Sequence, residues 1–321
     1  MTADWRHKLD ANQPIVIDGG TGSQLQHCGV PVDPVCWHAT AALTHHAELV
    51  STHVDFIGAG ANVITTNTFA AHRYVLERAG RSSDYARIMQ ASVAAARRAR
   101  IETSAPVAIA GSMSCMPPGF DTAHYPAEQV LRQTYAEHAN MLADLGVNLI
   151  ALEMIQDTRH GRWALEAALS TGLPVWLGVS CRLGASTNEL VCFDLPQVRL
   201  EDLWDALLPL GPAVVNIMHS PIDAVAAALD SLRPRWDGPI GVYPEVGSFD
   251  AVARRRTVNV SPSAFAAAAQ QWLSHGATVL GGCCGAGPAH IAALSALVAS
   301  TDTASGAFAS AASGEAGRPG T

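Results

Sequence analysis

Residues 146–153 read Gly-Val-Asn-Leu-Ile-Ala-Leu-Glu, a glycine followed by a short apolar run and a carboxylate. The glycine fits the end of a helix and a tight turn, because it readily adopts the left-handed conformation that closes many helices. The apolar run has the length of a buried strand. Glu153 therefore stands at the carboxyl end of a predicted strand. Gly60, Gly172 and Gly276 precede other apolar runs in the same way.

Seven further apolar runs alternate with longer segments of helical periodicity, such as Pro126 to Leu145. Near-continuous apolar strands covered by helices indicate a parallel sheet that is buried on both faces. Eight such units over about 290 residues match a (β/α)8 barrel, whose typical size is ~250 residues. We therefore predict an α/β fold, a single-domain (β/α)8 TIM barrel over residues 1–300. The eight runs are 15–20, 62–69, 107–113, 148–153, 174–181, 213–218, 240–243 and 278–283.

The C-terminal tail and the first apolar run complete the prediction of the fold. Residues 301–321 are rich in Ala, Gly and Ser without helical periodicity, and we predict a disordered extension there. A doubly wound sheet is the alternative for the rest of the chain. The first run continues as Asp18-Gly-Gly-Thr-Gly-Ser23, which lacks the G-x-G-x-x-G fingerprint of dinucleotide-binding sheets and so favours the barrel.

The composition excludes several classes of function. The net charge of −8 and the pI near 5.9 argue against binding to nucleic acid or to an anionic membrane surface. No run approaches the roughly 18–20 apolar residues of a membrane span, and the first residues lack the apolar core of a secretory signal, so we expect a cytoplasmic protein. The seven cysteines are then expected to be thiols or metal ligands. Lys8 is the single lysine, which argues against Schiff-base and pyridoxal chemistry.

Polar and sulfur-bearing residues concentrate at the carboxyl ends of the predicted strands, whereas Val, Ile, Leu and Ala fill the strand interiors. Active sites of (β/α)8 barrels form at these ends, so we expect a functional site there. The residues at the strand ends are Asp18-Gly-Gly20, Thr66-Asn-Thr68, Ser112 to Cys115, Glu153, Ser180-Cys181, Asn216 to His219, Tyr243-Pro-Glu245 and Cys283-Cys284.

Two adjacent cysteines, Cys283 and Cys284, lie between glycines at the end of the eighth run. Successive side chains of a regular strand point to opposite faces, but flanking glycines at a strand end can take positive φ and turn both sulfurs inward. Two thiolates and one further protein ligand would then leave the fourth position of a zinc ion open for a substrate. The alternatives are a buried apolar pair and a loop that binds phosphate through its amides. A strained vicinal disulfide is disfavoured in the cytoplasm.

The motifs follow one another in an order that is informative as a whole. They are Asp18-Gly-Gly-Thr-Gly-Ser-Gln-Leu25, Ile64-Thr-Thr-Asn-Thr-Phe69, Gly111-Ser112, Glu153, Tyr243-Pro244 with Gly247, and Gly281-Gly-Cys-Cys-Gly285. This order resembles the homocysteine S-methyltransferase family, which includes the betaine–homocysteine methyltransferases and the homocysteine-binding module of cobalamin-dependent methionine synthase. The resemblance spans residues 13 to 298, and the combination of D-G-G with G-G-C-C-G is its most specific part.

The resemblance implies a barrel in which three cysteines hold zinc and the homocysteine thiol is the fourth ligand. Cys283 and Cys284 match the last two cysteines of the family. The first cysteine of the family follows an asparagine at the end of the sixth strand. Asn216 is present in this chain, but no cysteine follows it.

The residues after that asparagine are Ile217, Met218 and His219. Isoleucine cannot bind a metal, and the thioether of methionine is poorly suited to zinc. His219 is the nearest competent ligand and would complete a Cys2His set, which changes the charge of the protein ligands from −3 to about −2. Cys181 at the end of the neighbouring strand is a second candidate, and loss of metal binding is the third outcome.

The same resemblance implies how the substrate is bound. Asp18, Gly19, Gly20 and Glu153 would hold the amino-acid part of homocysteine, with Asn216 as a further substrate-binding residue. Carboxylates suit the ammonium group of an amino acid. Zinc would lower the pKa of the thiol so that thiolate is present at neutral pH. We therefore expect a zinc-dependent thiol S-methyltransferase that methylates homocysteine to give methionine.

The methyl donor is expected to be small and cationic, since a single barrel carries no folate or cobalamin module. A sulfonium such as S-methylmethionine or S-adenosylmethionine, or a betaine, would meet this requirement, and a methyl-corrinoid on a separate protein is the alternative. Aromatic side chains can bind such a cation. The candidates near strand ends or loops are Trp37, Phe69, Tyr125 and Trp176.

The altered sixth-strand motif leaves other functions open. The protein could act on another thiol, demethylate a quaternary amine, or be a metal-free barrel that binds without catalysis. The expected partners are a small-molecule thiol and a methyl donor, with no nucleic acid and no membrane. The sequence leaves the oligomeric state open, and a homo-oligomer is compatible with it.

Overall fold

The computed structural model describes residues 5–115, 125–185, 189–250 and 255–313. The strands are β1 Ile15–Val16, β2 Val63–Thr65, β3 Ala108–Ser114, β4 Leu149–Ile155, β5 Val175–Val179, β6 Cys181–Leu183, β7 Leu190–Cys192, β8 Val214–Met218, β9 Ile240–Tyr243, β10 Gly247–Asp250, β11 Arg255–Val258 and β12 Ala277–Leu280. The helices are α1 Trp5–Asp10, α2 Thr21–His27, α3 Ala41–Thr44, α4 His46–Gly58, α5 Arg73–Arg78, α6 Tyr85–Thr103, α7 Glu128–Asp144, α8 Thr158–Leu169, α9 Leu200–Leu207, α10 Ile222–Leu232, α11 Pro262–Ser274 and α12 Pro288–Ser313. Short 3-10 turns occur at Ser82–Asp84, Leu208–Leu210 and Arg233–Arg235.

Eight parallel strands form one sheet in the order β1-β12-β9-β8-β5-β4-β3-β2. A parallel bridge between Ile17 and Val63 joins the first strand to the second, so the sheet closes on itself. Each of the eight strands falls within one of the eight apolar runs of the sequence or overlaps it. The prediction of a (β/α)8 barrel is therefore confirmed.

The helix-ending glycines explain how the chain enters each strand. Gly60, Gly146, Gly172 and Gly276 all have positive φ, between 68° and 101°. A residue with a Cβ is strained in this conformation, which is why glycine stands at these turns. The predicted helix ends are thus confirmed at all four positions.

Alternating side chains of the strands divide the core into two layers. The barrel interior is filled by residues such as Val63, Ala110, Leu149 and Trp176, and Trp5 of α1 packs edge-on against Trp176 with ring centroids 5.6 Å apart. The opposite faces of the strands pack against the helices in a second, larger cluster. Both faces of the sheet are buried, as the continuous apolar runs indicate.

Two antiparallel hairpins were not predicted from the sequence. The β6–β7 hairpin follows β5, and the β10–β11 hairpin follows β9, so both extend from the carboxyl ends of barrel strands. Three of their four strands lack an apolar run, and that of β7 is only three residues long. Within the described part of the chain, no helix is both long enough and apolar enough to cross a membrane.

The last helix continues beyond the boundary that the sequence suggests for the barrel. Helix α12 runs through Thr301 to Ser313, so this part of the segment predicted as a disordered tail is helical. Alanine is frequent here and has the highest helix propensity, which outweighs the lack of an amphipathic pattern. The rest of the tail, 314–321, lies outside the described residues, and the division into 1–300 and 301–321 stays a prediction.

A buried histidine of α4 is expected to make the fold sensitive to acid. His53 is fully buried, and neither ring nitrogen has a hydrogen-bond partner among the described residues. Burial, together with the smaller effect of the nearby His46, lowers the pKa of His53 to about 4. As the pH falls, His53 is therefore protonated in the unfolded chain before it is protonated in the folded one. The stability that the neutral ring contributes is present above the ordinary pKa of about 6.5 and is lost as the pH falls to 4.

We expect His53→Leu to reduce the drop in the free energy of unfolding between pH 7 and pH 4 by about 3 kcal/mol, measured by urea denaturation. Leu49→Val is the matched control, because it truncates another buried side chain of α4 without changing a titratable group. This control is expected to lower the free energy of unfolding equally at both pH values. An unchanged pH dependence in His53→Leu would contradict the prediction.

Candidate metal and substrate site

The side chains of His219, Cys283 and Cys284 meet at the carboxyl end of the barrel. Their ligand atoms all lie within 4.8 Å of one another. Cys283 Sγ is 3.4 Å from His219 Nδ1 and 3.9 Å from Cys284 Sγ. A tetrahedral zinc ion with usual bond lengths would hold two sulfurs about 3.8 Å apart and a sulfur about 3.5 Å from a nitrogen. The chemistry of the three side chains and the two distances from Cys283 Sγ therefore fit zinc.

His219 reaches this position through an unusual backbone conformation. Met218 belongs to the barrel interior and Ile217 to the outer layer, so strict alternation would turn the next side chain away from the barrel axis. His219 has φ of +45°, a left-handed conformation that few residues other than glycine adopt. Its amide still continues the sheet by donating to the Tyr243 carbonyl at 3.2 Å. The turn at His219 thus places its ring over the mouth of the barrel.

The glycines around the cysteine pair were predicted to take positive φ, and only one of them does. Of Gly281, Gly282 and Gly285, only Gly285 has positive φ. The other two allow close packing, since a Cβ on Gly281 would lie 2.1 Å from a methyl group of Ile17 and one on Gly282 would lie 2.2 Å from Ala286 Cβ. The sulfurs are brought together by tight packing of the loop as well as by its one left-handed residue.

The other interpretations of the cysteine loop receive little support. The amides of Gly281, Gly282 and Cys283 donate to backbone carbonyls, and the Gly285 amide donates to Ser23 Oγ at 3.0 Å. These amides are therefore engaged within the protein and are not directed at a phosphate group. Helix α12 begins at a proline, which has no amide hydrogen to offer. Both cysteines are free thiols, so the loop contains no vicinal disulfide.

Cys181, the second candidate for the third ligand, lies apart from this cluster. It is fully buried, its sulfur is 3.6 Å from Ser220 Oγ, and burial raises its pKa to about 11. Among the described residues, the group whose ligand atoms converge contains His219 and not Cys181. The geometry therefore favours His219.

Two carboxyl groups, Asp18 and Glu153, lie at the same end of the barrel. Asp18 Oδ2 accepts a hydrogen bond from the Thr65 amide at 2.7 Å, and Glu153 accepts one from Ser112 Oγ. Burial raises the pKa of Asp18 well above its ordinary value, against the Thr65 hydrogen bonds, and the neighbouring Glu153 raises it further. Burial likewise raises the pKa of Glu153 to about 7, and the Ser112 hydrogen bond opposes this. A buried pair of acids that repel each other is well suited to bind a cation.

A cavity of about 640 Å³ connects the acids with the cysteine pair. Its lining includes the backbone of Gly19 and Gly20 beside Asp18, and a Cβ on Gly20 would lie 2.6 Å from the Cys283 carbonyl. Asn216 is not among the described residues that line this cavity. It is buried in β8, where its Nδ2 donates to the Leu177 carbonyl at 3.5 Å, and its role in substrate binding stays a prediction.

Two of the four aromatic candidates lie in the cavity wall. The rings of Trp37 and Phe69 have centroids 6.1 Å apart and both face the cavity. Trp176 is buried inside the barrel, and Tyr125 lines a separate surface cavity beside α8. Neither is placed to contact a ligand near the cysteines.

Three further residues of the site were not assigned a role from the sequence. Phe193, after β7, packs edge-on against the His219 ring with centroids 5.0 Å apart. Tyr243 lines the cavity, and its buried hydroxyl has no hydrogen-bond partner among the described residues. Glu245 Oε2 is 4.0 Å from His219 Nε2. The sequence carries a signal for Tyr243 and Glu245, since both lie at the end of a predicted strand. It carries none for Phe193, which lies in a hairpin that was not predicted.

Comparison with known proteins gives a consistent result. The family model described as homocysteine S-methyltransferase matches residues 15–298. Homocysteine S-methyltransferase 3 from Zea mays is 25% identical over 305 residues, which cover 87% of this chain and 88% of the relative. Homocysteine S-methyltransferase YbgG from Bacillus subtilis is 21% identical and is matched over 93% of this chain and 98% of its own length.

The fold is shared with a solved structure. The metallated form of the homocysteine methyltransferase MmuM from Escherichia coli superposes with a TM-score of 0.73 at 22% sequence identity. The match covers 91% of this chain and 98% of that protein. At this level of identity the likeness concerns the fold.

Proposed function

The chain belongs to the homocysteine S-methyltransferase family, and we propose that it is a zinc-dependent enzyme that methylates the thiol of homocysteine to give methionine. The observation that carries the proposal is the cluster of His219, Cys283 and Cys284 in the wall of the cavity that also contains Asp18 and Glu153. One cavity thus offers a metal-binding set for a sulfur and a pair of acids for an ammonium group.

The residues of the proposed metal site would be His219, Cys283 and Cys284. Thiolate and imidazole ligands suit zinc, and three protein ligands leave one position for a substrate atom. Zinc bound there would lower the pKa of the homocysteine thiol, so that the thiolate is present at neutral pH. Because the sequence departs from the three-cysteine set of the family, His219 is the ligand that most needs a direct test.

Asp18 and Glu153 would bind and orient the amino acid. The ammonium group of homocysteine offers three donors to the two carboxylates, which lie in a water-poor pocket where charge-assisted hydrogen bonds are strong. Held by this end, homocysteine would direct its sulfur toward the cysteine pair. The sulfur then attacks the methyl carbon of the donor in line, a carbon–sulfur bond forms, and the old bond to the donor breaks with its electron pair.

The donor would occupy the outer part of the cavity. Trp37, Phe69 and Phe193 present aromatic rings there, and a sulfonium or a quaternary ammonium group is attracted to such faces. A sulfonium donor fits best, because the neutral thioether that it releases is a good leaving group and needs no proton. A betaine is the second choice, since the tertiary amine that it releases is more basic and therefore a poorer leaving group.

Metal analysis and product assays test the proposal together. Wild-type protein purified with zinc is expected to contain about one zinc per chain, and His219→Ala is expected to contain none. The wild type should convert homocysteine to methionine with S-methylmethionine, S-adenosylmethionine or betaine, as followed by mass spectrometry. A zinc-free, folded wild type without product would instead support a binding barrel, and methylation of another thiol only would assign a different acceptor.

A further inference from the structure

We propose that Glu245 is the positioning residue for His219. In the proposed site, the Glu245 carboxylate accepts a hydrogen bond from Nε2–H of the histidine and thereby keeps Nδ1 directed at the metal. The inference rests on the proposed zinc site and adds a residue to it. Glu245 itself does not contact the metal in this proposal. It lies on the far side of the imidazole ring from the cysteine pair.

The two ring nitrogens of His219 face different groups. Nδ1 is 3.4 Å from Cys283 Sγ, whereas Nε2 is 4.0 Å from Glu245 Oε2. A histidine that binds a metal through one nitrogen carries its proton on the other, and that proton usually goes to a carboxylate or a carbonyl. The side chains of His219 and Glu245 are 4% and 13% exposed, so little water competes for this contact.

The backbone fixes both residues in place. The His219 amide donates to the Tyr243 carbonyl, and the Glu245 amide donates to the Ser220 carbonyl, both at 3.2 Å. These hydrogen bonds continue the pairing of β8 with β9 past the last regular residues of the strands. Glu245 is thereby held opposite His219 whether or not their side chains are in contact.

The same segment is also tied to the cysteine loop. The Cys283 amide donates to the Pro244 carbonyl at 2.9 Å, and the Val246 amide donates to the Cys284 carbonyl at 3.1 Å. Residues 243–246 thus lie between the histidine and the two cysteines and pair with both. A carboxylate in the middle of this segment is well placed to orient one ligand relative to the other two.

The carboxylate also restores charge to the site. Three cysteines contribute −3, whereas two cysteines and a neutral histidine contribute −2, and Glu245 supplies the missing negative charge behind the histidine. A carboxylate hydrogen-bonded to a ligating imidazole increases its basicity and its affinity for the metal. The geometry therefore explains how a Cys2His set can serve where the resemblance leads one to expect three cysteines.

The test is the affinity of the purified chain for zinc, measured by competition with a chromogenic chelator. Glu245→Gln keeps the shape of the side chain but removes its charge, and we expect zinc binding about 10- to 100-fold weaker than in the wild type. Asp223→Asn is the matched control, because Asp223 is an exposed carboxylate in the first turn of the neighbouring α10. Its affinity is expected to stay within about twofold of the wild type. Equal affinity of Glu245→Gln and wild type would overturn the inference.

A second background separates positioning of the histidine from a general effect on the fold. In His219→Cys the third ligand has no N–H, so adding Glu245→Gln is expected to change zinc affinity by no more than about twofold. An undiminished effect of Glu245→Gln in that background would overturn the inference. If His219→Cys takes up no zinc, the visible spectra of the Co²⁺-loaded wild type and the Co²⁺-loaded Glu245→Gln single variant are compared instead. A shift of the ligand-field band in the variant supports positioning of His219 by Glu245. An unchanged spectrum refutes it.

These outcomes also separate the inference from the proposed function. A wild type that binds zinc and loses it in His219→Ala supports the metal site, whatever Glu245→Gln does. A wild type with no affinity for zinc would overturn both. Thermal melting of each metal-free variant shows whether it is folded as the wild type is.

Discussion

Cys283→Ala protein is expected to contain no zinc and to methylate homocysteine at least about a thousandfold more slowly than the wild type. The variant removes one of the two proposed thiolate ligands. Its sulfur lies within 3.9 Å of the other two donor atoms, His219 Nδ1 and Cys284 Sγ. Loss of several kcal/mol of electrostatic activation at a metal site corresponds to a factor of about 10³ or more in rate. Metal content by atomic emission and initial rates of methionine formation are the two measurements.

The matched control for this prediction is Cys181→Ala. Cys181 is also a buried cysteine at a strand end, but it contacts Ser220 instead of the metal-binding group. Cys181→Ala is expected to retain about one zinc per chain, because a catalytic zinc site takes three protein ligands and the fourth position is left for the substrate. If Cys283→Ala retained its full zinc content, or if Cys181→Ala lost it, the proposed ligand set would be wrong.

Glu153→Gln is expected to lower kcat/KM for homocysteine about 100-fold while zinc content stays unchanged, since removing one partner of a buried charge pair costs 2–5 kcal/mol, or roughly that factor or more. The glutamine side chain has the same shape but lacks the charge that the ammonium group requires. The measurement is the initial rate over a range of homocysteine concentrations. Glu48→Gln, at an exposed position in the first turn of α4, is the control and should behave as the wild type.

A second substrate identifies which group Glu153 recognises. 4-Mercaptobutanoate has the thiol and the carboxylate of homocysteine but no amino group, so the wild type should use it about 100-fold less well. Glu153→Gln should show a clearly smaller preference between the two thiols, because only Asp18 is left to bind the ammonium group. A preference as large as that of the wild type would mean that the ammonium group is bound elsewhere.

Much of the barrel could be predicted because its signals are local. Each barrel strand lies in or overlaps a short apolar run, and glycines with positive φ end the helices before β2, β4, β5 and β12. The β6–β7 and β10–β11 hairpins could not be predicted, because three of their four strands lack an apolar run and that of β7 is only three residues long. The helical part of the tail was missed because high alanine propensity gives no periodic signal.

Most residues of the candidate site could be predicted from the sequence, but the way in which His219 joins the cysteine pair could not. Cys283, Cys284, Asp18 and Glu153 stand at strand ends, and a barrel brings all such ends together. From the sequence, His219 was preferred to Cys181 as the third metal ligand only because His219 lies close to Asn216. The feature that brings His219 to the cysteine pair is its left-handed backbone conformation, with φ of +45°, which reverses the alternation of side chains and cannot be predicted from a sequence pattern. Its role as the third ligand stays a proposal.

The hydrogen bond from the Gly285 amide to Ser23 Oγ joins two residues that are 262 positions apart in the chain. It ties the turn after the first strand to the turn after the last. The proposed metal ligands Cys283 and Cys284 and the acid Asp18 therefore become neighbours only when β12 has docked beside β1. During synthesis, a nascent chain that has not yet released β12 from the ribosome lacks the cluster of His219, Cys283 and Cys284. A metal ion bound there as proposed would be acquired after the barrel has closed, and its uptake would then report completed folding.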